Sequence, residues 1–179
     1  KFKPKIVFCI DISEAALYQL EQSVIKPTNT KILFVVADIK NEKRIKDLFH
    51  RYIPSLVLHA AAYKHVPLME TENVSEALIN NAKGTFLLAN LCKTFNVKKF
   101  VLVSTDKAIN PTNVMGASKR LAEILCQSLQ SATGTEFITV RFGNVLGSSG
   151  SVIPLFKKQI EMGGPVTVTH RDITRYFMS

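Results

Sequence analysis

Five short runs dominated by apolar and β-branched residues, at positions 6–10, 32–36, 56–59, 100–103 and 137–141, alternate along the chain with longer segments of helical period. Few folds accept that rhythm. Strands that are apolar along their length are covered on both faces, and parallel strands need a crossover between them, so the alternation specifies repeated strand–helix–strand units. With right-handed crossovers, the architecture that remains is α/β, a doubly wound parallel sheet.

The helices are read from spacing. Ile45, Leu48, Phe49 and Tyr52 form one stripe, and Ala77, Asn81, Gly84, Leu88, Leu91 and Phe95 form a longer one in which Asn81 is the polar exception. Leu121, Leu125 and Leu129, with Ile124 beside them, line a third. Residues 151–162 read as a further helix stopped by Gly163-Gly164-Pro165, and residues 166–169 as a short late strand.

Sheets that bind dinucleotides open with a central strand and a glycine-rich turn into a helix, yet nothing resembling G-x-G-x-x-G occurs before Gly84. The first strand here ends in Cys9-Ile10-Asp11 and leads to a helix, as the second strand of such a sheet does. The Asp11 carboxylate would meet the adenosine ribose. In the strand order 3-2-1-4-5-6 the absent strand lies between the second and the fourth, and its removal leaves two apolar edges unpaired. The 179 residues are therefore expected to be part of a longer chain.

Composition narrows the setting. With 46% apolar and 21% charged residues the chain is globular in character, and its length suits one domain or one and a half. The longest uncharged run, residues 142–156, carries Gly143, Gly147, Gly150 and Pro154 and is too short and broken to span a bilayer. No signal-peptide core precedes Asp11, so a cytoplasmic location is expected. Cys9, Cys92 and Cys126 lie far apart, which encodes neither a disulfide framework nor a metal site; they read as small buried residues in a reducing cell. The net charge of +9 raises the local concentration of anionic partners such as nucleotides or phosphates. No basic stripe interleaved with aromatics appears, so nucleic acid is not expected among them.

In open α/β sheets ligands bind beyond the carboxyl ends of the strands. The loops there are chemically specific. Ala60, Ala61 and Ala62 offer side chains small enough for a flat ring or a ribose to lie against the backbone, while Asp38 and Ile39 offer a carboxylate and an apolar edge to an adenine. Each alone reads equally well as packing or as a helix cap. Ser104-Thr105-Asp106-Lys107 places a hydroxyl, a carboxylate and an ammonium directly after a buried strand, where the alternative is a cap and a surface ion pair. Met115 and Lys119, four apart, project from one face of the next helix.

The ordered set Asp11, Asp38-Ile39, Ala60-Ala61-Ala62, Asn81-Ala82-Lys83-Gly84-Thr85, Ser104-Thr105-Asp106-Lys107, Met115-Gly116-Ala117-Ser118-Lys119 and Arg141-Phe142-Gly143-Asn144-Val145-Leu146-Gly147 resembles the extended short-chain dehydrogenase/reductases that act on nucleotide sugars. Within them, residues 62–67, 104–113 and 174–178 are similar to the bacterial UDP-N-acetylglucosamine 4,6-dehydratases of polysaccharide biosynthesis. The resemblance implies a Rossmann-like dinucleotide-binding core over residues 1–145 lacking its first strand, and the start of a nucleotide-sugar-binding part over residues 146–179. It also implies NAD, with NADP as the other choice, a UDP-sugar substrate, and a homo-oligomer. The Asp11 carboxylate leans toward NAD, because it disfavours the 2′-phosphate.

One departure stands out. The superfamily carries Tyr-x-x-x-Lys, whose lysine depresses the tyrosine pKa so that a phenolate takes a hydroxyl proton. Here the tyrosine position is Met115, and a thioether does not titrate. The membrane-linked dehydratases are similar in having methionine there. The resemblance then implies a relay from the sugar 4-hydroxyl through Thr105 to Asp106, with Lys107 removing the C5 proton and Lys119 holding the nicotinamide ribose. Elimination across C5 and C6 requires a 4-ketone, a base for C5 and an acid for the departing hydroxyl, and Asp106 and Lys107 are an adjacent carboxylate and amine. Near Lys119 and a cationic nicotinamide, Lys107 is expected to be partly neutral.

The remaining binding residues read less sharply. Asn81 pins neighbouring backbone in preference to touching substrate. Lys64 approaches sugar or phosphate, or is solvated. Asn144 offers an amide to the nucleotide, and Arg171 and Arg175 grip its diphosphate or form a basic surface turn. The rival readings are a nucleotide-sugar epimerase on the same scaffold and a catalytically silent dinucleotide binder.

Overall fold

The computed structural model describes residues 3–25, 28–146, 152–168, 170–172, 174 and 177–178. Strands β1 (Ile6–Asp11) and β2 (Lys31–Val36) pair in parallel, with Phe8 opposite Leu33. A second parallel sheet has the order β3 (Leu56–His59), β4 (Lys99–Thr105), β5 (Glu136–Phe142). Among the described residues β1 and β3 do not pair, and Leu58 on β3 is 68% exposed. That is the uncovered apolar edge the strand order anticipates.

One core nevertheless joins the two sheets. Ile45, Leu48 and Phe49 of α2 (Glu42–Tyr52), Leu88, Leu91 and Cys92 of α4 (Thr85–Thr94), Phe100 and Leu102 of β4, and Ala122 and Cys126 of α5 (Val114–Ser128) form a single cluster. Ile10 and Val35 of the first sheet pack against it. Each large apolar side chain buried this way contributes roughly 1.5–3 kcal/mol, so the α2 stripe is a substantial part of what binds that helix to the core. The α/β, doubly wound reading of the sequence is the architecture observed.

Capping residues set where the helices begin. Ser13 accepts from the Ala16 amide ahead of α1 (Glu14–Ser23), Asn41 from Arg44 ahead of α2, and Asn113 from Gly116 at 2.8 Å ahead of α5. A short helix α3 (Val74–Ala77) runs into a π-helical stretch, Leu78–Gly84, before α4. The wider turn places Asn80, Asn81, Ala82 and Gly84 all in the interior, and such stretches recur at functional sites. A Cβ on Gly84 would come within 2.8 Å of the end of the Ile39 side chain, so that stretch lies closely on the loop after β2.

Two expectations from spacing fail. Residues 166–168 form no strand, and Thr169 lies outside the described residues. The late strands are instead β6 (Asn144–Val145) and β7 (Phe177–Met178), which pair with each other and lie on either side of α6 (Val152–Glu161) in the chain. The Leu121–Leu125–Leu129 stripe is not the inner face of α5. Leu121 and Ile124 are 40% and 46% exposed, and only Leu129 reaches the core cluster. The buried face carries Met115, Gly116, Ser118, Lys119, Ala122, Glu123 and Cys126, because Lys119 and Glu123 find partners in the sheet below and Ser118 finds one in Asn81. Cys92 and Cys126 are buried as expected, whereas Cys9 is half-buried.

Candidate active site

Strand β4 delivers Ser104 and Thr105 to its carboxyl end, and Asp106–Ala108 form a 3-10 turn capped by Thr105, whose Oγ1 accepts from the Lys107 amide at 3.3 Å. The same hydroxyl donates to Asp106 Oδ1 at 2.9 Å, and Lys107 Nζ donates to that oxygen at 3.0 Å. One carboxylate oxygen therefore links the hydroxyl to the amine in a single chain. Burial alone would raise the Asp106 pKa, but the hydrogen bonds from Lys107 and Thr105 and the Lys107 charge outweigh it and hold the carboxyl below its ordinary range. The ion pair opens to solvent, with Asp106 47% and Lys107 28% exposed.

Lys119 lies deeper, 4% exposed, with Nζ donating to the Val103 carbonyl at 2.8 Å. Burial lowers its pKa to about 8, against the opposing charge of Glu123. A lysine at this helical position would usually be solvated; here β4 receives it. Glu123, one turn further, accepts from Ser104 Oγ at 2.6 Å, from Arg141 on both oxygens, and from Arg120 at 2.9 Å. Ser104 and Arg141 are register partners across β4 and β5, so the carboxylate staples both strands to α5. Burial would raise Glu123, yet the bonds from Arg141, Ser104 and Arg120 bring it down to about 2. The sequence reading missed Glu123; the 3, 4 spacing of Gly116, Lys119 and Glu123 on one face was the available signal.

Met115 is 4% exposed and packs with Met69 and Ala77, flanked by Val66 and Val114. The thioether is core, filled over by the turn Pro67–Met69. Glu70 Oε1 accepts from the Val114 amide at 3.0 Å, tying that turn region to the start of α5. Ala62, Tyr63, Lys64, His65, Leu68 and Met69 line a cavity of about 260 Å³ beside it.

Asn81 does what its position suggested. Its Oδ1 accepts from the Tyr63 amide at 2.8 Å, and its Nδ2 donates to the Tyr63 carbonyl at 3.0 Å and to Ser118 Oγ at 2.9 Å. The loop after β3 is thereby fastened to α5. Beneath it Thr85 Oγ1 donates to the Asn81 carbonyl at 2.6 Å, so the buried His59 must donate from Nε2 to Thr85 at 2.8 Å. Burial and the Lys119 charge push His59 down to about 3, which keeps it neutral.

The other candidates fall around this centre. Asp11 gives Oδ1 to the Ser13 amide at 2.8 Å. Asp38 is already engaged, by the Lys40 amide at 2.8 Å and by Lys40 Nζ at 2.9 Å, and that ammonium also reaches Asn80 at 3.2 Å. Ile39 packs on the π-helical stretch. Ala60 and Ala61 are exposed and Ala62 half-buried, with Lys64 on the cavity wall. Asn144 sits in β6 opposite Phe177. Arg171 is 91% exposed and approaches Asp172 at 3.8 Å, and Arg175 lies outside the described residues. The structure gathers Thr105, Asp106, Lys107 and Lys119 around the end of β4; it does not bring Arg171 to them.

The sequence pattern of a family described as polysaccharide biosynthesis protein matches residues 1–179. The chain is 52% identical to the capsular polysaccharide biosynthesis protein CapD of Staphylococcus aureus, covering 100% of this chain and 30% of that protein. It is 37% identical to a UDP-glucose 4-epimerase of Rickettsia rickettsii over 94% of this chain and 51% of the other. Among solved structures, Pen from Bacillus thuringiensis superposes with a TM-score of 0.86 at 37% identity, covering 98% of this chain and 55% of that one. The chain thus spans between about a third and a half of these proteins' lengths.

Proposed function

The chain belongs to the polysaccharide biosynthesis protein family, and from that premise we propose that it is the cofactor-binding and catalytic portion of a nucleotide-sugar 4,6-dehydratase. The substrate read for it is UDP-N-acetylglucosamine, and the product a UDP-4-keto-6-deoxy-N-acetylhexosamine. The observation that carries the reading is the continuous Thr105–Asp106–Lys107 chain above a buried Lys119, where Met115 has left the usual phenol position to the hydrophobic core.

A nicotinamide dinucleotide fits the residues present. Ala60 and Ala61 leave bare backbone after β3, Lys119 uses one of three N–H donors on Val103, and Asp11 retains its second oxygen for a ribose hydroxyl. The carboxylate favours NAD over NADP. NAD held there would supply a hydride acceptor for C4 and a hydride donor for C6. Thr105 orients the 4-hydroxyl and passes its proton to Asp106. Lys107, as its free amine, takes the C5 proton; Asp106 passes the proton received from the 4-hydroxyl to the C6 hydroxyl, which leaves as water; and Lys107 returns its proton to C5 as hydride reaches C6. Lys64, Asn144, Arg171 and Arg175 are the proposed contacts to the sugar nucleotide, with residues 146–179 opening the part that holds it. The exposed Leu121 side of α5 supports assembly with a second copy.

The test incubates the full-length protein with UDP-N-acetylglucosamine and NAD in deuterated water and follows the sugar by NMR. A 4-keto-6-deoxy product carrying deuterium at C5 is the expected outcome. Because the Rickettsia relative is named an epimerase, retention of the C6 oxygen with inversion at C4 is the result that overturns dehydration in favour of that reading. Unchanged sugar would mark a silent binder.

A further inference from the structure

We infer that Gly116 is a positioning residue that sets the height of Lys107 above the rest of the site. The inference rests on the dehydratase reading. A Cβ at Gly116 would overlap the Lys107 carbonyl oxygen, far inside any distance real Cβ atoms adopt, and would press the Lys107 carbonyl carbon at 3.2 Å and Asn113 Oδ1 at 3.3 Å. The atoms it meets are backbone and a capping side chain, so none can swing aside. The first turn of α5 therefore lies directly on the 3-10 turn that carries the acid and the amine.

The seat is part of a two-point contact. Gly116 meets residue 107 and Lys119, three positions on along the same face, meets Val103. Helix α5 thus touches the segment 103–107 at both ends, and the separation between Lys107 and Lys119 is fixed by how closely its first turn approaches. The close approach is itself anchored, since Asn113 caps the Gly116 amide and Glu70 takes the Val114 amide. Clearing one methyl group would lift the turn by about 1 Å, a displacement on the scale that costs about 100-fold in a positioned reaction.

The consequence is specific to one step. Lys107 serves C5, whereas hydride leaves C4, so a raised turn impairs deprotonation more than oxidation. The test uses the full-length protein with Gly116→Ala, and Ala117→Ser at the exposed neighbouring position as the control. In single turnovers with NAD and UDP-N-acetylglucosamine, reduced nicotinamide is read by absorbance and C5 exchange by NMR. Gly116→Ala is expected to bind NAD as the parent does, to oxidise C4 within a few-fold, and to lose C5 exchange by about 100-fold. Parental exchange rates, or an equal loss in both steps, would overturn the inference. If Gly116→Ala does not fold, the double variant with Ala108→Gly frees the turn to move, and it is expected to fold while still lacking C5 exchange. If the parent itself leaves the sugar unchanged, the dehydratase reading fails separately. The seat is then judged by the rate at which an amine reagent acylates Lys107, which changes in Gly116→Ala and not in Ala117→Ser if the contact holds.

Discussion

Lys119 Nζ donates to the carbonyl of Val103 at 2.8 Å, which brings a buried ammonium to the strand whose next residues are Ser104, Thr105 and Asp106. The bond fixes the helix to the strand end that leads into Thr105, Asp106 and Lys107. It also leaves the charge nearly without solvent, at a free-energy cost that titration exposes.

The Lys119 pKa falls from 10.5 to about 8 on folding, so the folded state binds fewer protons than the unfolded state between those values. Stability therefore rises with pH across that window, by about 3 kcal/mol. Lys119→Met should abolish turnover and remove this slope. Urea unfolding of parent and variant from pH 7 to 10.5 gives the difference in which other lysines cancel; identical slopes would contradict the burial argument.

Glu123 behaves in the opposite sense. Its carboxyl drops from 4.5 to about 2 in the fold, so the stability it contributes is present above pH 4.5 and is lost as pH falls toward 2. The magnitude is about 3 kcal/mol. Glu123→Gln should unfold more readily at pH 7 and should lack the parent's steep acid loss, as read by thermal melts from pH 2.5 to 7.

Both side chains lie on the buried face of α5, of which the sequence reading picked out Lys119 but not Glu123. Leu121, Leu125 and Leu129 recur at helical period and draw the eye inward, but hydrophobicity assigns a helix face only when the opposing surface is apolar too. Above β4 and β5 that surface presents a carbonyl at Val103, a hydroxyl at Ser104 and a guanidinium at Arg141, so polar partners won the inner face. The strands were legible because each is a continuous apolar run. The Thr105–Asp106–Lys107 chain was legible because three adjacent functional groups followed one of them. Gly116 was not, since close contact between backbones leaves no mark on composition.

Asn81 makes both hydrogen bonds to the Tyr63 backbone and a third to Ser118 from a fully buried position. Asn81→Ala removes the side-chain partner of the Tyr63 amide and carbonyl and leaves Ser118 with the Met115 carbonyl, at a cost of about 1–3 kcal/mol for each backbone group that stays buried and unpaired. The loop carrying Ala60–Ala62 loses its tether at the same time. A lower unfolding midpoint together with at least a tenfold weaker NAD affinity is expected; a stability loss with unchanged affinity would show that the loop does not depend on the clamp.

Lys107→Ala removes the amine but keeps the Thr105 hydroxyl and the Asp106 carboxylate. NAD affinity should remain within about twofold while C5 exchange disappears, a loss of at least about 10²-fold for a positioned base. Measuring affinity by calorimetry and exchange by NMR separates the two, and parental exchange would remove Lys107 from the mechanism.

Met115 occupies the place where the superfamily resemblance expects a phenol, yet its surroundings argue that restoring one brings no gain. The side chain is 4% exposed and is enclosed by Met69, Ala77, Val66 and Val114, none of which offers a side-chain hydrogen-bond acceptor better than a thioether. A tyrosine there is larger and carries a hydroxyl into an apolar cluster, so Met115→Tyr should destabilise by about 1–3 kcal/mol. Met115→Leu, which nearly conserves volume, should cost under about 1.5 kcal/mol. Turnover should not rise in either variant, because the proton transfer proposed here runs through the Thr105–Asp106–Lys107 chain. A Met115→Tyr protein that dehydrates faster, with a new pH dependence in the phenol range, would show that the vacated position still commands the chemistry.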